Sequence, residues 1–414
     1  MLNPLRLLTF STLFPNSGDP NHGVFVANRL AHLVASGEVV SSVVAPVPYL
    51  PPVAGRLERW RRYLSVDSME QRRGITIHHP RYPVIPGVGM SIAPILLYAA
   101  SVLCVRRLIA AGLAFDGIDA HYLYPDGVAA IWLGQRFNLP VVITARGSDV
   151  TQLSTHAVPR GLIRLAMRKA DALIAVSAAL KQAMIGLGAN AAKITVLRNG
   201  VDTRLFRPRD RAAPRRALGL SRPTLVSVGL LIERKGHHRT IEAMRLLPGF
   251  DLLIAGEGPE RGRLERLIAR LGLGDRVRLL GARPHDCLPE LYEAADAMIL
   301  ASSREGWANV LLESMACGTP VIASNIWGNP EVVQSPECGL IFEPNTPEAI
   351  AEAVQRLFRN LPSRSATRAY AERFSWDETT AGQLAIFRRV TAGGHRQDAC
   401  LGATCCASLG GAHA

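Results

Sequence analysis

Lysine is scarce in this 414-residue chain: only four of its 47 basic residues are lysines. Basic residues outnumber the 34 acidic ones, and the formal net charge is +13. Such a charge favours anionic partners, which include nucleic acids, acidic membranes and phosphorylated substrates. The arginines are scattered, however, and no zinc-finger or aromatic-basic signature accompanies them. The sequence therefore indicates no nucleic-acid partner.

Cysteines are also few, and their spacing carries no metal-binding pattern. None of the seven belongs to a pair of C-x-x-C units. From the short, Arg6-interrupted apolar stretch at the start we expect no signal peptide. We therefore expect reduced thiols, no bound metal and a cytoplasmic location.

A long apolar run occurs at residues 87–105, but glycine and proline interrupt it. Its most apolar part, 92–105, is shorter than the ~20 residues that cross a bilayer, so we expect no membrane span. Two interpretations stay open. The run is buried in a domain core, or it contacts a membrane surface with Arg106 and Arg107 at its end.

Apolar residues make up 48% of the chain, in short runs that alternate with helical stretches. This alternation is typical of parallel α/β sheets. Predicted strands begin near residues 5, 39, 75, 120, 141, 173 and 194, and then near 224, 251, 277, 297, 321 and 340. We predict Rossmann-like domains over 1–205 and 206–374, a terminal helix over 375–390 that returns to the first domain, and a disordered tail over 391–414.

The most informative segment is 302–320. Its pattern predicts a helix over 310–316 that is capped by Asn309, with Glu305 before the helix and Glu313 on its first turns. A carboxylate suits paired sugar hydroxyls, because its two oxygens accept two hydrogen bonds. The free N–H groups at a helix start also favour anionic ligands. The alternative is that both glutamates pair with surface arginines.

A second motif, GLLIERKG at 229–236, follows the first predicted strand of the second half. Its Arg234 and Lys235 can reach a diphosphate with a planar fork and a point charge. A solvated pair of loop charges is the alternative, but lysine is rare here, which gives Lys235 extra weight. The Gly-Glu-Gly-Pro turn at 256–259 lacks the spacing of a dinucleotide site and predicts a tight turn.

These motifs resemble those of the family 4 glycosyltransferases, and the resemblance covers residues 5–390. It implies the GT-B fold, in which two Rossmann-like α/β domains face a cleft, and retention of the anomeric configuration of the sugar. It also implies a nucleotide-diphosphate sugar as co-substrate, with no other cofactor and no required metal. In agreement, the chain contains no Asp-x-Asp motif.

By position, the resemblance assigns Glu313 to the donor ribose, Arg234 and Lys235 to the diphosphate, and Glu305 with the 306–309 backbone to the transferred sugar. Many members carry Gly-Arg where this chain has Gly229-Leu230, which leaves Arg234 as the phosphate arginine of the loop. The full predicted donor set is Gly18, Arg234, Lys235, Arg283, Glu305, Gly306, Trp307, Asn309, Val310 and Glu313. The predicted catalytic residues are His121, Arg234, Lys235 and Glu305.

The first half supplies the candidates for the acceptor site, which are Asn16, His121, Arg146 and Asp149. The loop at 14–23 resembles the family's glycine-bearing loop, where Gly18 allows a close backbone approach, and a plain surface turn is the alternative. His121 lies at a strand end where members often have an active-site histidine, and a core histidine is the alternative. Arg146 replaces a histidine that is common at its position. It is predicted either to bind an acceptor phosphate or to pair with Asp149.

The resemblance, which at 15–26 is to bacterial exopolysaccharide-type members, implies a hexosyltransferase that serves exopolysaccharide or cell-surface polysaccharide synthesis, with a glycan or a polyprenyl-diphosphate-linked acceptor. The positive charge favours contact with the anionic inner face of the plasma membrane. A nucleotide-sugar epimerase or a phosphorylase is an alternative on the same fold. A binder of anionic ligands without turnover is the alternative from another class, and its binding would be sensitive to salt.

Overall fold

The computed structural model describes residues 3–49, 63–85 and 89–403, with side chains as far as residue 392. The chain divides into two compact units. Unit 1 consists of Met1–Ala175, Lys181–Leu197 and Thr380–Ala414, and unit 2 consists of Val176–Leu180 and Arg198–Thr379. The division thus lies before residue 205, where the sequence places the end of the first domain.

Unit 1 contains the first ten strands of the described chain. They are β1 (Leu5–Phe10), β2 (Val39–Val44), β3 (Val47–Tyr49), β4 (Met69–Arg72), β5 (Ile75–His78), β6 (Arg81–Pro83), β7 (Gly117–His121), β8 (Val141–Ala145), β9 (Ala172–Ala175) and β10 (Ile194–Val196). Eight of them form one sheet in the order β10-β9-β8-β7-β1-β2-β5-β4, and β3 pairs with β6. Neighbouring strands of the large sheet are parallel except β4 and β5.

Helices flank this sheet, so its central strands β7, β8 and β9 are buried on both faces, as parallel strands require. The described helices that begin in unit 1 are α1 (Val24–Ala35), α2 (Gly89–Ala110), α3 (Val128–Phe137), α4 (Ser148–Thr151) and α5 (Ala157–Lys169). The helix α6 (Ala178–Gly186) begins in unit 2 and continues in unit 1.

Unit 2 is built on a six-stranded parallel sheet. Its strands are β11 (Thr224–Val228), β12 (Asp251–Ala255), β13 (Val277–Leu279), β14 (Ala297–Leu300), β15 (Val321–Ser324) and β16 (Gly339–Phe342). The order is β13-β12-β11-β14-β15-β16. Its helices are α7 (Ala212–Ala217), α8 (His237–Ala243), α9 (Arg261–Arg270), α10 (Leu288–Ala294), α11 (Asn309–Ala316), α12 (Asn329–Val332), α13 (Pro347–Arg359) and α14 (Arg364–Ala371).

The two parallel-sheet units confirm the predicted α/β fold class. Each of the predicted strands is present, because each is a short apolar run between turns. The sequence analysis missed β3, β4 and β6. The strand β4 has the polar sequence Met-Glu-Gln-Arg, which gives no apolar signal. It lies at the edge of the sheet, where charged side chains are common.

The last helix, α15 (Trp376–Ala403), begins in unit 2 and continues in unit 1. Its Leu384 and Phe387 lie in the same hydrophobic cluster as Leu7 and Val142 of the unit 1 sheet. The helix does not end at residue 390, where the sequence predicts a disordered tail. Extending a formed helix adds one hydrogen bond for each residue that is fixed, so a segment without an apolar pattern can continue it. Residues 404–414 lie outside the described part.

The apolar run forms α2, which is longer than the predicted apolar stretch. With 22 residues, this helix is long and apolar enough to cross a bilayer by length and composition alone. Leu97 and Val105 are buried, but Ile95 and Leu103 on another face are 56% and 53% exposed. Burial in a domain core, one of the two interpretations of the apolar run at 87–105, therefore explains one face of α2 but not the exposed one. Residues 87 and 88 of the run lie outside the described residues.

Four of the cysteines have described side chains, namely Cys104, Cys287, Cys317 and Cys338, and all four are free thiols.

Candidate active site

The order of strands in the unit 2 sheet brings two loops to one point. The strand β11 pairs with β12 on one side and with β14 on the other. Chain order therefore reverses between β11 and β14, and ligands of open α/β sheets bind at such a reversal, beyond the carboxyl ends of the strands. The loop 229–236 follows β11 and the loop 301–308 follows β14. These loops carry the two predicted donor motifs.

Lys235 and Glu305, which come from the two loops, form an ion pair in this structure. The Lys235 Nζ donates to Glu305 Oε1 at 2.6 Å, and the Ser302 hydroxyl donates to the same oxygen at 2.7 Å. The side chains of the pair are only 14% and 9% exposed. Burial acts to raise the pKa of Glu305, but the ammonium of Lys235 and the Ser302 hydroxyl outweigh it, so the pKa is lowered. The pair is therefore charged and largely shielded from water.

Gly236 is what lets the first loop approach the second. It adopts a left-handed conformation with φ of 71°, and a Cβ there would lie 2.0 Å from the carbonyl oxygen of Ala301. Only glycine fits both the conformation and the space. Lys235 is thereby held beside the end of β14.

Arg234 lies on the same turn, and it is bound mainly through its backbone. Its carbonyl accepts a hydrogen bond from Ser303 N at 2.8 Å, and its guanidinium makes a long contact of 3.5 Å with the Arg304 carbonyl. The structure therefore brings Arg234 to the Lys235–Glu305 pair. Arg283, another predicted donor residue, is exposed on the loop after β13.

The helix α11 begins one residue earlier than predicted. Ala308 is its N-cap, and Asn309 is its first helical residue. The predicted capping role of Asn309 is therefore wrong, because its side-chain oxygen instead accepts from Asn199 Nδ2 at 3.1 Å. Gly306 and Trp307 are buried, and Val310 is half-buried.

Trp307 is packed as a structural side chain. Its ring lies 6.1 Å from that of Phe374, and the Arg198 guanidinium lies 5.8 Å from its centre. Such packing fixes the chain just before α11, where the predicted sugar-binding backbone lies.

The Glu313 carboxylate, on α11, is held by two residues that the sequence analysis missed. His285 Nε2 lies 3.0 Å from Oε1, and the Tyr292 hydroxyl donates to Oε2 at 3.1 Å. Burial, and then the carboxylate itself, raise the pKa of Tyr292, so its hydroxyl stays protonated as a donor. No signal near Glu313 in the sequence identifies either residue, because both lie more than twenty positions away.

In unit 1, His121 is joined to two charged side chains. Arg146 Nη2 lies 2.7 Å from His121 Nδ1, and Asp119 Oδ2 lies 3.2 Å from His121 Nε2. Asp119 and His121 alternate along β7 and so share one face of the sheet. That spacing is the signal by which Asp119 could have been found.

The partners of His121 define its tautomer. A guanidinium only donates, so Nδ1 accepts and the proton lies on Nε2, facing Asp119. Burial lowers the pKa of His121 against the opposing effect of Asp119, so the ring is neutral at pH 7. The side chain is 1% exposed, and both ring nitrogens face protein groups.

Arg146 and Asp149 are linked through the backbone. The Asp149 carboxylate accepts from the N–H groups of Leu123, Arg146, Gly147 and Val150 at 2.7 to 3.2 Å. It therefore shapes the loop after β8, while the Arg146 guanidinium turns toward His121. The Arg146 group also lies over the ring of Phe25, at 5.2 Å.

Asn16 and Gly18 lie together on the loop after β1. The Asn16 side-chain oxygen accepts from Gly18 N at 3.0 Å and from Asp19 N at 2.9 Å. Asn16 is only 2% exposed, so its side chain organises the loop. Among the described residues, no hydrogen bond joins Asn16 or Gly18 to His121 or Arg146.

Asp126 ties the loop after β1 to the segment after β7, where the order of the unit 1 sheet reverses. Its carboxylate accepts from the Thr12 backbone and from the Thr12 hydroxyl. Burial raises the pKa of Asp126 to about 7, although the Thr12 hydrogen bonds oppose this shift.

This buried carboxyl gives a pH-dependent stability. Between its ordinary pKa of 3.8 and its folded value of about 7, the unfolded chain ionises while the folded chain keeps the proton. We therefore expect the unfolding free energy to fall as pH rises across that interval, on the order of 1–4 kcal/mol relative to Asp126→Asn. Urea unfolding of both proteins from pH 4 to 8 measures the difference. A constant difference would contradict the assignment.

Comparison with known proteins agrees with this fold. Residues 25–205 match the family model described as Glycosyltransferase Family 4, and residues 209–374 match that of Glycosyl transferases group 1. The D-inositol 3-phosphate glycosyltransferase of Segniliparus rotundus is 30% identical over 370 residues, which cover 82% of this chain and 81% of that protein.

Two solved structures share the architecture. The sucrose-phosphate synthase of Thermosynechococcus elongatus has a TM-score of 0.78 at 21% identity, covering 94% of this chain and 100% of that one. The Anabaena protein HepE in complex with UDP has a TM-score of 0.69 at 22% identity, covering 93% and 100%. The fold is therefore that of the GT-B glycosyltransferases. The chain belongs to glycosyltransferase family 4, with its group 1 domain in unit 2.

Proposed function

We propose that this chain is a retaining, metal-independent hexosyltransferase that moves a sugar from a nucleotide-diphosphate sugar to an acceptor in cell-surface polysaccharide synthesis. The observation that carries the proposal is the largely shielded Lys235–Glu305 pair at the strand reversal of unit 2. A shielded ammonium beside a carboxylate suits a ligand that joins an anionic diphosphate to a hydroxylated sugar.

Each part of the proposed donor matches a group of residues by charge or by hydrogen bonding. Lys235 and Arg234 would neutralise the diphosphate, Glu305 and the 306–309 backbone would bind the sugar hydroxyls, and Glu313 would accept from the ribose. The Anabaena relative contains UDP, which supports a nucleotide ligand. Arg283 and Val310 complete the proposed donor set of unit 2, and Gly18 of unit 1 stays a prediction from the sequence.

The reaction would proceed by displacement on one face of the sugar. The bond between the anomeric carbon and the diphosphate oxygen breaks while the acceptor oxygen bonds to that carbon from the same side, and the hydroxyl proton passes to the departing diphosphate oxygen. Catalysis then rests on positioning and on stabilising the departing diphosphate, chiefly by Lys235. Since the acceptor takes the place of the leaving group, the anomeric configuration is retained.

The residues of unit 1 would serve the acceptor. The loop that Asn16 shapes offers backbone groups at a sheet reversal. His121 and Arg146, which contact each other at 2.7 Å, lie at the ends of β7 and β8, and we propose that they face the acceptor there. Asp149 fixes the loop beside them.

Two acceptor classes fit the proposal. One is a glycan or a polyprenyl-diphosphate-linked glycan. The other is a small phosphorylated polyol, which the name of the Segniliparus rotundus relative favours. Both contain the hydroxyl nucleophile that the displacement needs.

The proposal is tested by NMR analysis of the product. Purified protein is incubated with UDP-, GDP- and ADP-sugars, with each acceptor class, and with or without EDTA. We expect sugar transfer with retained configuration that EDTA leaves intact. An inverted product would refute the displacement. Interconversion of donor sugars without acceptor would favour an epimerase, and loss of transfer in EDTA would reveal a metal.

We also propose that α2 binds the anionic inner face of the plasma membrane. Ile95, Ala99 and Leu103 recur at four-residue spacing and form an exposed apolar face, and Arg106 and Arg107 follow it. An apolar helix face that ends in cations is the arrangement that interfacial helices use.

Aspartates on this face should weaken membrane binding. We expect Ile95→Asp/Leu103→Asp to weaken sedimentation with phosphatidylglycerol vesicles at least about tenfold, because each side chain contributes on the order of 1.5–3 kcal/mol when buried. The matched control is Leu361→Asp, an exposed apolar residue of unit 2. Equal sedimentation of all three proteins would contradict the proposal.

A further inference from the structure

The Glu313 carboxylate is held between two donors that differ in burial. Tyr292 lies on α10 and is fully buried, so its hydroxyl is a fixed donor to Oε2. His285 lies on a short turn just before α10, and its side chain is 22% exposed. Since the Glu313 side chain is only 10% exposed, His285 occupies the more open side of the carboxylate.

The His285 ring is itself supported. It lies edge-on against the ring of Phe206, with centres 5.1 Å apart and planes at 73°. Phe206 is 1% exposed, and Arg368 donates both to its carbonyl, at 2.6 Å, and to that of Ala316, at 2.7 Å. Because Ala316 ends the helix that carries Glu313, the contacts form a closed chain through Arg368, Phe206 and His285 back to Glu313.

A carboxylate offers about four lone pairs, and His285 and Tyr292 use two of them. The remaining two can accept from a pair of vicinal hydroxyls only when the carboxylate keeps its orientation. Tyr292 alone would leave the other oxygen free to rotate away. The donor on the open side therefore decides whether both oxygens face a ligand together.

We propose that His285 is a positioning residue for nucleotide recognition, which orients the Glu313 carboxylate toward the 2′- and 3′-hydroxyls of the donor ribose. This inference rests on the proposed function, because it deepens the donor site. His285 acts through Glu313 and does not itself touch the reacting atoms.

Two substitutions separate the hydrogen bond from the packing. His285→Phe keeps a ring against Phe206 but removes the N–H donor, whereas His285→Gln keeps an N–H near the position of Nε2. Asp286→Ala, on the same turn, is the matched control. Calorimetric titration uses UDP, GDP or ADP, whichever the wild-type protein binds most tightly, and the 2′,3′-dideoxy form of that nucleotide.

We expect His285→Phe to weaken binding of the ribonucleotide about tenfold, the loss typical of one hydrogen bond to a charged group. The dideoxynucleotide, which lacks both hydroxyls, should bind the variant and the wild type equally. Glutamine should restore most of the ribonucleotide affinity. For donor-sugar hydrolysis, KM should rise while kcat stays unchanged, because His285 does not contact the reacting bond.

Each other outcome overturns the inference. Equal loss for both nucleotides would mean that His285 supports only the fold, and tighter binding by His285→Phe would mean that it competes with the ribose. Unchanged affinity would exclude a positioning role. If the wild-type protein bound no nucleotide, the proposed donor site would fail as well, which distinguishes that case from a failure of His285 alone.

Discussion

Replacing Lys235 by alanine is expected to lower the turnover number for sugar transfer about 100- to 1000-fold, the usual loss when one preorganised donor to developing charge is removed. The ammonium is 14% exposed and lies 2.6 Å from the Glu305 carboxylate. Its electrostatic effect is strong because little water screens it. Steady-state kinetics with a saturating donor sugar measure the change.

The substitution also leaves Glu305 buried without its cation, so stability must be measured beside activity. We expect a loss of unfolding free energy on the order of 1–3 kcal/mol. A double variant, Lys235→Met/Glu305→Gln, removes both charges and should recover stability without recovering turnover. If turnover returned with stability, Lys235 would be a structural residue and the phosphate site would lie elsewhere.

Alanine at Glu313 should weaken nucleotide binding about 100-fold or more, because two hydrogen bonds to one carboxylate are lost. The effect should appear in KM and in the dissociation constant, since the ribose does not react. Titration with the nucleotide that the wild-type protein binds measures it.

A matched control is Glu265→Ala, an exposed glutamate of α9 in the same unit. Removing Glu313 also leaves the buried Tyr292 hydroxyl without its acceptor, so thermal unfolding of the variant should be compared. A folded Glu313→Ala protein that binds nucleotide normally would refute the ribose assignment.

The meeting of two loops in unit 2 could be predicted because its signals are local. Glu305 and Glu313 lie on either side of a helix start, and Arg234 and Lys235 follow a strand directly. Parallel sheets bring such loops to one edge, so sequence spacing alone indicates that they meet. The 2.6 Å contact between Lys235 and Glu305 needed the structure, because it depends on the order of β11 and β14 in the sheet.

The partners of Glu313 could not be predicted. His285 and Tyr292 are separated from it by 28 and 21 positions, and their approach depends on how α10 packs against α11. From the sequence alone, Tyr292 would be predicted to be an ordinary core residue.

The unit 1 site shows the limit of residue type as a signal. A histidine at a strand end suggests a catalytic group, but Asp119 and Arg146 surround His121 in the fold. The spacing along β7 indicates Asp119, but the approach of Arg146 depends on the pairing of β7 with β8, which sequence order does not reveal. Its predicted catalytic role stays a prediction.

The most direct test of the donor site is a thermal-shift titration of the wild-type protein and Glu313→Ala with UDP-, GDP- and ADP-sugars. A ligand that binds only the folded state raises the unfolding temperature with its concentration. We expect at least one sugar nucleotide to stabilise the wild-type protein and to leave the variant unchanged. Equal shifts for both proteins, or no shift with any sugar nucleotide, would contradict the account.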